Sequence, residues 1–409
     1  MIHDAASVMW ACDQLAAISS RDDGIERVYL SDQHAQCHTL VAPWFEAAGL
    51  QTWQDAAGNL CGRMEGAENG LPAVMLASHL DTVPLAGRYD GILGVMIALA
   101  VVSHFKARRH SLPFALEVVG FGDEEGVRFG STLLGSQAMA GGWQEAWWTL
   151  TDSNGTSLAE AFTAFGLIPS HIDKAARRSN DLIAYLEAHI EQGPYLEARG
   201  QPLGVVTGIA GARRFEVTCT GHAGHAGTTP MSMRQDALCA ASEAVLNIEE
   251  TARQYGCVAT VGKLETIAGA VNVVPGQTVF SVDIRAQKDA QRDSAWADIT
   301  AAFDRIAGNR GVTFAFQETH CAGAVECSPY LQDIIAQGIT SVTGDKEPPR
   351  LVSGAGHDAM AMASMTDVGM LFLRCTGGIS HHPDESVLEE DVALAIEAMV
   401  AAVDRLILA

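Results

Sequence analysis

Two apolar runs in the first third of the chain each break off into imidazole and carboxylate side chains, and this constrains the fold more than any other feature. Ala73-Val74-Met75-Leu76 leads into Ala77-Ser78-His79-Leu80-Asp81-Thr82-Val83, and Phe114-Ala115-Leu116-Glu117-Val118-Val119 leads to Gly122-Asp123-Glu124-Glu125-Gly126. Both runs read as strands, and the apolar stretch 91–108 between them reads as a helix. Strand, helix, strand is the order of a crossover connection in an α/β sheet covered by helices. Ligands of open α/β sheets sit at the carboxyl ends of strands, where these polar residues fall.

The remaining pattern predicts two domains, as 409 residues exceed one ordinary core. Residues 1–72 read as a helical start, a helix through 41–45, and short strands near 51–53 and 59–63. Strands 73–77 and 114–121 alternate with helices 91–108 and 130–140. A different order occupies 209–322: strand 214–220, helix 235–255, strands 257–264 and 277–286, helix 293–309 and strand 312–319. This β-α-β-β-α-β sequence is the split ferredoxin-like unit. It is complete in itself, so it is expected as an inserted domain between two parts of a catalytic domain, 1–208 and 323–409. Helix 328–343, strand 368–374 and helix 389–407 complete the outer domain.

Composition excludes several classes of partner. A net charge of −23 disfavours nucleic acid and anionic membranes, which bind basic patches. The longest apolar stretch, 91–102, is too short to span a bilayer. Residues 1–14 have neither a basic head nor an apolar signal core. The nine cysteines are scattered without a Cys-x-x-Cys, as expected of free thiols in a reducing compartment, the cytoplasm.

Five residues in separate stretches are candidate metal ligands: His79, Asp90, Glu125, His189 and His381. Imidazole and carboxylate suit zinc and similar dications, and one shared carboxylate holds two ions about 3.5–4 Å apart. No cysteine lies near these positions, which disfavours copper(I) and iron–sulfur centres. Asp81, on the same face of an extended segment as His79, is placed to hold the second nitrogen of that imidazole. Glu124 points away from its neighbour Glu125 and is free to take a proton from an attacking water. Alone, a His-x-Asp reads as polar loop and a Glu-Glu pair as a solvated face; their joint occurrence at strand ends carries the inference. From the residues alone, His189 fits a half-buried strand equally well, and His381 and His382 are equivalent.

The motifs Ser78–Val83, Arg88-Tyr89-Asp90-Gly91, Asp123–Gly126, His189-Ile190-Glu191-Gln192-Gly193, His225-Ala226-Gly227-Thr228-Thr229-Pro230-Met231, Asn272-Val273-Val274-Pro275-Gly276, Ser353–Ala359 and Ile379-Ser380-His381 together resemble one family. It is the dinuclear aminoacylase/carboxypeptidase superfamily, in its allantoate amidohydrolase, N-carbamoyl-L-amino-acid hydrolase and β-ureidopropionase (hydantoinase/carbamoylase) branch. The resemblance covers about 70–390. It implies a zinc-peptidase-like mixed sheet covered by helices, with the inserted domain as a lid and dimer contact. It makes His79, Asp90, Glu125, His189 and His381 the ligands of two divalent ions, with Asp90 as the bridge. Zinc or manganese is implied, and cobalt and nickel suit the same donors. His381 is preferred to His382 because the family's ligand follows the serine. Glu124 becomes the general base and Asp81 its catalytic companion. Gln192, Arg214, His225, Asn272, Arg285, Gly356 and His357 become substrate contacts. Without the resemblance Arg285 reads equally as an ion-pair partner, Asn272 as a turn former, and His222 as loop surface.

The implied reaction is hydrolysis of the carbamoyl C–N bond of a ureido acid, releasing ammonia and carbon dioxide. The pair Arg213-Arg214 leans the reading toward allantoate over N-carbamoyl amino acids. An N-acyl amino acid or dipeptide is the competing substrate, although His189 stands where peptidase branches more often carry a carboxylate. A non-catalytic ligand-binding dimer is the competing class, and it would have no use for Glu124 beside a full ligand set. A small-molecule substrate and a homodimer through the inserted domain are expected.

Overall fold

The computed structural model describes residues 1–408. They divide into two compact units, one formed by Met1–Thr207 together with the residues from Cys327 on, the other by Gly208–Glu326.

The first unit is built on a mixed sheet whose strands run Gln51–Gln54, Leu60–Met64, Ala115–Phe121, Ala73–His79, Leu182–Ile190, Val368–Leu373 and Leu203–Ile209 in spatial order. The four central strands, Ala115–Phe121 to Val368–Leu373, are mutually parallel. Antiparallel strands flank them on both sides. Every residue of Ala73–His79, Ala115–Phe121 and Val368–Leu373 is buried, as expected when helices cover both faces of a parallel sheet. This is why the strands read as continuous apolar runs without alternation.

The helix Ile92–Phe105 buries twelve of its fourteen residues, so it is an internal helix, apolar on all sides, and not an amphipathic surface one. It packs in one core with Ala5–Ala16, Pro329–Thr343 and Glu389–Ile407. Gly94 allows its first turn to lie on the sheet: a Cβ there would meet the Ala188 carbonyl oxygen and stand 2.8 Å from Ser78 Cβ.

The expected strands 73–77, 114–121 and 368–374 match three of the four parallel strands, while the region after Glu125 differs from expectation. The expected helix 130–140 is only Leu134–Met139. Leu133 is left-handed (φ 65°) and gives its N–H to the Asp123 carbonyl, so the chain returns to the strand end before a helix starts. The expected helix 91–108 ends at Phe105 and tightens into the 3-10 turn Lys106–Ser111. Between residues 141 and 181 short helical turns enclose a separate cluster with Phe162, Trp143 and Trp148.

In the second unit the strand order is Leu264–Thr266, Gln277–Ala286, Gly211–Thr220, Thr313–Ala322, with Val258–Thr260 also on Gln277–Ala286, and all pairs are antiparallel. Helices Ala237–Tyr255 and Asp289–Arg310 cover one face. Phe215, Val217, Phe280, Val282 and Ile284 pack there against Ala244, Ile248, Trp296 and Phe303, the Phe215 and Trp296 rings stacking at 3.6 Å. The expected strand 257–264 is two short pieces, because Lys263 bonds Ser281 through both its N–H and its carbonyl and turns the chain between them.

Gly94→Ala should force the helix off strands Ala73–His79 and Leu182–Ile190 and cost about 1–3 kcal/mol, the range for overpacking a dense core. Urea unfolding measures it; an unchanged midpoint would contradict the close approach described here.

Candidate metal centre

Four parallel strands end on one edge, and the chain uses each exit to deliver a polar side chain. His79 is the last residue of its strand and His189 the penultimate residue of Leu182–Ile190. Asp90 precedes the helix Ile92–Phe105, Glu124 and Glu125 follow Ala115–Phe121, and His381 follows Val368–Leu373. His79 Nε2 lies 3.5 Å and His189 Nε2 3.2 Å from Asp90 Oδ1. His381 Nε2 lies 3.1 Å from the other oxygen, Asp90 Oδ2, and 3.4 Å from Glu125 Oε1. Two donor groups result, His79–Asp90–His189 and Asp90–Glu125–His381, with ligand atoms within 4.8 Å of one another and Asp90 common to both. Gly91 makes room for this: its φ is +73°, and a Cβ would strike the His79 ring.

The hydrogen bonds fix which nitrogens face inward. His79 Nδ1–H donates to the Asp81 carbonyl at 3.0 Å and His189 Nδ1–H to the Ile190 carbonyl at 2.8 Å. Each Nε2 therefore presents a lone pair toward a carboxylate lone pair, and that of His189 is buried without a hydrogen-bond partner. Acceptor facing acceptor requires a positive charge between them, a proton or a cation. Protonated imidazoles meet the same requirement. Burial opposes charge on His79, but the Asp90 contact and the carboxylates of Glu124 and Asp81 outweigh it and lift its pKa well above the ordinary value. Asp90 and Glu125 push His381 up to about 10. Asp90 stays well below the carboxylate range: burial would raise it, and three imidazoles prevail. The residues thus fit two dications.

Glu124 stands beside this set, its Oε2 4.0 Å from His79 Nε2. Burial, foremost, and the neighbouring carboxylates of Glu125, Asp358 and Asp81 raise its pKa well above the ordinary carboxyl value, against the pull of His79. Gly356 faces it, since a Cβ there would lie 3.8 Å from Glu124 Oε1. His357 packs edge-on against His189, ring centroids 4.5 Å apart, and meets Ser353 Oγ through Nε2 at 2.7 Å. Gln192 Nε2 donates to Asp90 Oδ2 at 2.7 Å.

Asp81 departs from expectation. Its backbone carbonyl, not its carboxylate, takes the His79 Nδ1–H; the carboxylate is 3.7 Å from that nitrogen. The carboxylate instead accepts the N–H groups of Glu124 and Glu125 at 3.1 and 3.2 Å. The turn after Leu80 brings the carbonyl closer to the ring, and Asp81 positions two strand ends at once. His382 turns to Asp384 at 3.6 Å, leaving His381 as the imidazole at Asp90.

The other four candidates belong to the second unit. Arg214 and Arg285 both bond Asp283, each at 2.9 Å to its Oδ2, so two guanidinium groups share one carboxylate on the sheet face opposite the helices. The neighbouring Arg213 is engaged by Glu318 and Asp293. His225 and Asn272 are neighbours on a two-stranded ribbon, where His225 pairs with Val273 and the Ala226 N–H donates to the Asn272 carbonyl.

Several buried groups at the centre escaped sequence reasoning. Glu187, fully buried, accepts from Ser78 Oγ and Tyr185 OH at 2.9 Å, and forms a further donor group with His189 and His357. Its place two residues before His189 on one strand was the available signal. Asp123 is buried with no hydrogen-bond partner for either oxygen among the described residues, and Asp358 is buried as well. Ser380 and Glu385 underlie Asp90; nothing in their local sequence marks them except nearness to His381.

Comparison with known proteins agrees with this geometry. The profile of peptidase family M20/M25/M40 matches residues 75–405. The chain is 38% identical to allantoate deiminase 1 of Glycine max, over 96% of this chain and 88% of that protein. It is equally 38% identical to the N-carbamoyl-L-amino acid amidohydrolase of Geobacillus stearothermophilus, over 92% of both. A crystal structure of a hydantoinase/carbamoylase family amidase from Burkholderia multivorans superposes with a TM-score of 0.90 at 31% identity, covering 98% of this chain and 97% of that one. With the strand-end ligand cluster in hand, these matches show that the chain is a hydrolase belonging to peptidase family M20/M25/M40, among its hydantoinase/carbamoylase amidases.

Proposed function

We propose that this protein hydrolyses the carbamoyl C–N bond of a ureido acid, allantoate or an N-carbamoyl-L-amino acid, releasing ammonia and carbon dioxide. The observation that carries the reading is Asp90 between three inward-facing imidazoles, with Glu124 beside them. His79, Asp90 and His189 would hold one divalent ion and Asp90, Glu125 and His381 a second, with zinc or manganese the leading choices. When bound, the ions supply Lewis acidity and lower the pKa of water at the site.

The remaining chemistry belongs to side chains. Glu124, beside the candidate ligands, takes the proton of the attacking water as a carboxylate and returns it to the departing nitrogen. Asp81 orients the Glu124–Glu125 peptide through two N–H bonds. Neutral His357, its pKa held well below the ordinary value by burial and by His189, and Gln192 are placed to bind the ureido group. Arg285 and Arg214 are assigned to the substrate carboxylate, and His225 and Asn272 to the oxygen that gains charge as water attacks. The adjacent Arg213, engaged by Glu318 and Asp293, and Arg214 keep the reading leaning toward allantoate, with N-carbamoyl-L-amino acids as the other substrates. Both relatives named above are equally similar. The nine cysteines are unbridged, which supports a reducing, cytoplasmic setting.

The second unit also supports a homodimer. Its edge strand Thr313–Ala322 leaves Phe316 half exposed, and helix Ala237–Tyr255 leaves Leu246 66% exposed, so the unit carries a sheet edge and exposed apolar side chains. A sedimentation mass of about twice 43.3 kDa is expected; a monomer at micromolar concentration would reject it.

Ammonia release from a panel of allantoate, N-carbamoyl-L-amino acids and N-acetyl-L-amino acids tests the activity. Turnover of a ureido acid and none of the acetyl compounds is expected, with Glu124→Gln reducing kcat by about 10²–10⁴-fold while metal content stays near two per chain. Turnover of acetyl compounds alone would overturn the reading. Because His381 stands at about 10 without metal, it is protonated at pH 7.5, and cation binding has to displace that proton. Calorimetric titration in buffers of differing ionisation enthalpy should show net proton release on loading, and affinity rising with pH. Proton-neutral binding would contradict the proposed ligand set.

A further inference from the structure

Glu385 is 3% exposed, and among the described residues no arginine or lysine pairs with it. A buried carboxylate without a cation is expensive unless its oxygens are fully used. They are. Oε1 accepts the N–H groups of Tyr89 at 2.8 Å and of Asp90 at 3.1 Å. Oε2 lies 2.9 Å from the Ser380 hydroxyl, which also lies 2.9 Å from Asp90 Oδ2. Gln192 Nε2 approaches the same hydroxyl at 3.2 Å. One side chain thereby ties the turn carrying Asp90 to the loop carrying Ser380 and His381. The fit is close, because a Cβ on Gly87 would collide with the Glu385 side chain. His381 itself sits at φ 54°, a conformation that a non-glycine residue keeps only when its surroundings impose it.

We propose that Glu385 is a positioning residue that sets the separation between Asp90 and His381, and so the affinity of the site for its second cation. This rests on the dimetal reading above. The mechanism is geometric. Glu385 fixes the backbone of Asp90 through two N–H bonds, and Ser380 bridges the two carboxylates, so Asp90 Oδ2 and His381 Nε2 are held at the same edge before any ion arrives. Preorganised supports of this kind are typically worth 10–100-fold in metal affinity.

The test uses the full chain, stripped and reloaded with Zn²⁺ or Mn²⁺ against a competing chromophoric chelator, with melting temperature read in the metal-free state. Glu385→Ala should weaken the more weakly held ion about 10–100-fold while the metal-free melting temperature changes little. Glu385→Gln keeps a carbonyl for Tyr89 and Asp90 and offers an amide N–H to Ser380, so its affinity should stay within a few-fold of the parent. If Glu385→Gln loses as much as Glu385→Ala, the effect is one of charge and the positioning role is overturned. Unchanged affinity in Glu385→Ala overturns it too. Should Glu385→Ala fail to fold, Ser380→Ala decides: a several-fold loss supports the bridge, and parental affinity refutes it. A parent chain that binds fewer than two ions would instead sink the dimetal reading itself.

Discussion

Lone pairs face lone pairs at the ends of the parallel strands, and the rest of the first unit accommodates that confrontation. Asp90 offers one oxygen to His79 and His189 and the other to His381. Both ring N–H groups of the buried imidazoles are already committed to backbone carbonyls. Nothing neutral satisfies such an arrangement, so positive charge is built into the requirement. In its absence the imidazoles hold protons far more tightly than usual. A fold that concentrates Asp81, Asp90, Asp123, Glu124, Glu187 and Asp358 in its interior gives up stability that bound cations restore, since a ligand bound only by the native state stabilises it.

The supporting structure is covalently local but geometrically constrained. Asp123, Gln192 and His381, one on each of three strand exits, have φ of 64°, 57° and 54°. Left-handed backbone costs a residue other than glycine roughly 1–2 kcal/mol. Each is held by a nearby bond: the Asp123 carbonyl by Leu133 N–H at 2.6 Å, Gln192 by Asp90, and the His381 loop by Ser380 on Asp90. The turns thus aim side chains toward one point that regular strand geometry, alternating across the sheet, would send to opposite faces.

How much of this was legible in the sequence follows from the range of the interactions. The candidate ligands His79 and Glu125 are legible because each lies within a few residues of the end of an apolar run. The second unit was readable because one-sided burial writes a period of two into Arg214–Thr220 and a helical period into 235–255. The strand Leu182–Ile190, at the centre of the sheet, was left open. Its alternation reads as a half-buried strand, whereas Glu187 and His189 are fully buried, Glu187 accepting from Ser78 and Tyr185 and His189 donating to the Ile190 carbonyl. Those partners are remote or carry no local signature. Glu385 is the extreme case, since its partners are backbone N–H groups 295 and 296 residues away, which no local pattern encodes.

The second unit shows that a bland and a functional reading of one residue need not compete. Arg285 is an ion-pair partner, as its sequence context allowed, and Asp283 is where it pairs. Asp283 also takes Arg214, so one carboxylate meets two guanidinium groups. Asp283 is held below the ordinary carboxylate range by these arginines against the effect of burial, so it remains ionised and keeps both forks oriented. Two forks held by one carboxylate lose little further freedom if they bind a ligand, because the ordering cost is already met. The salt bridge that seems to occupy Arg285 is therefore also what holds its planar fork in one orientation.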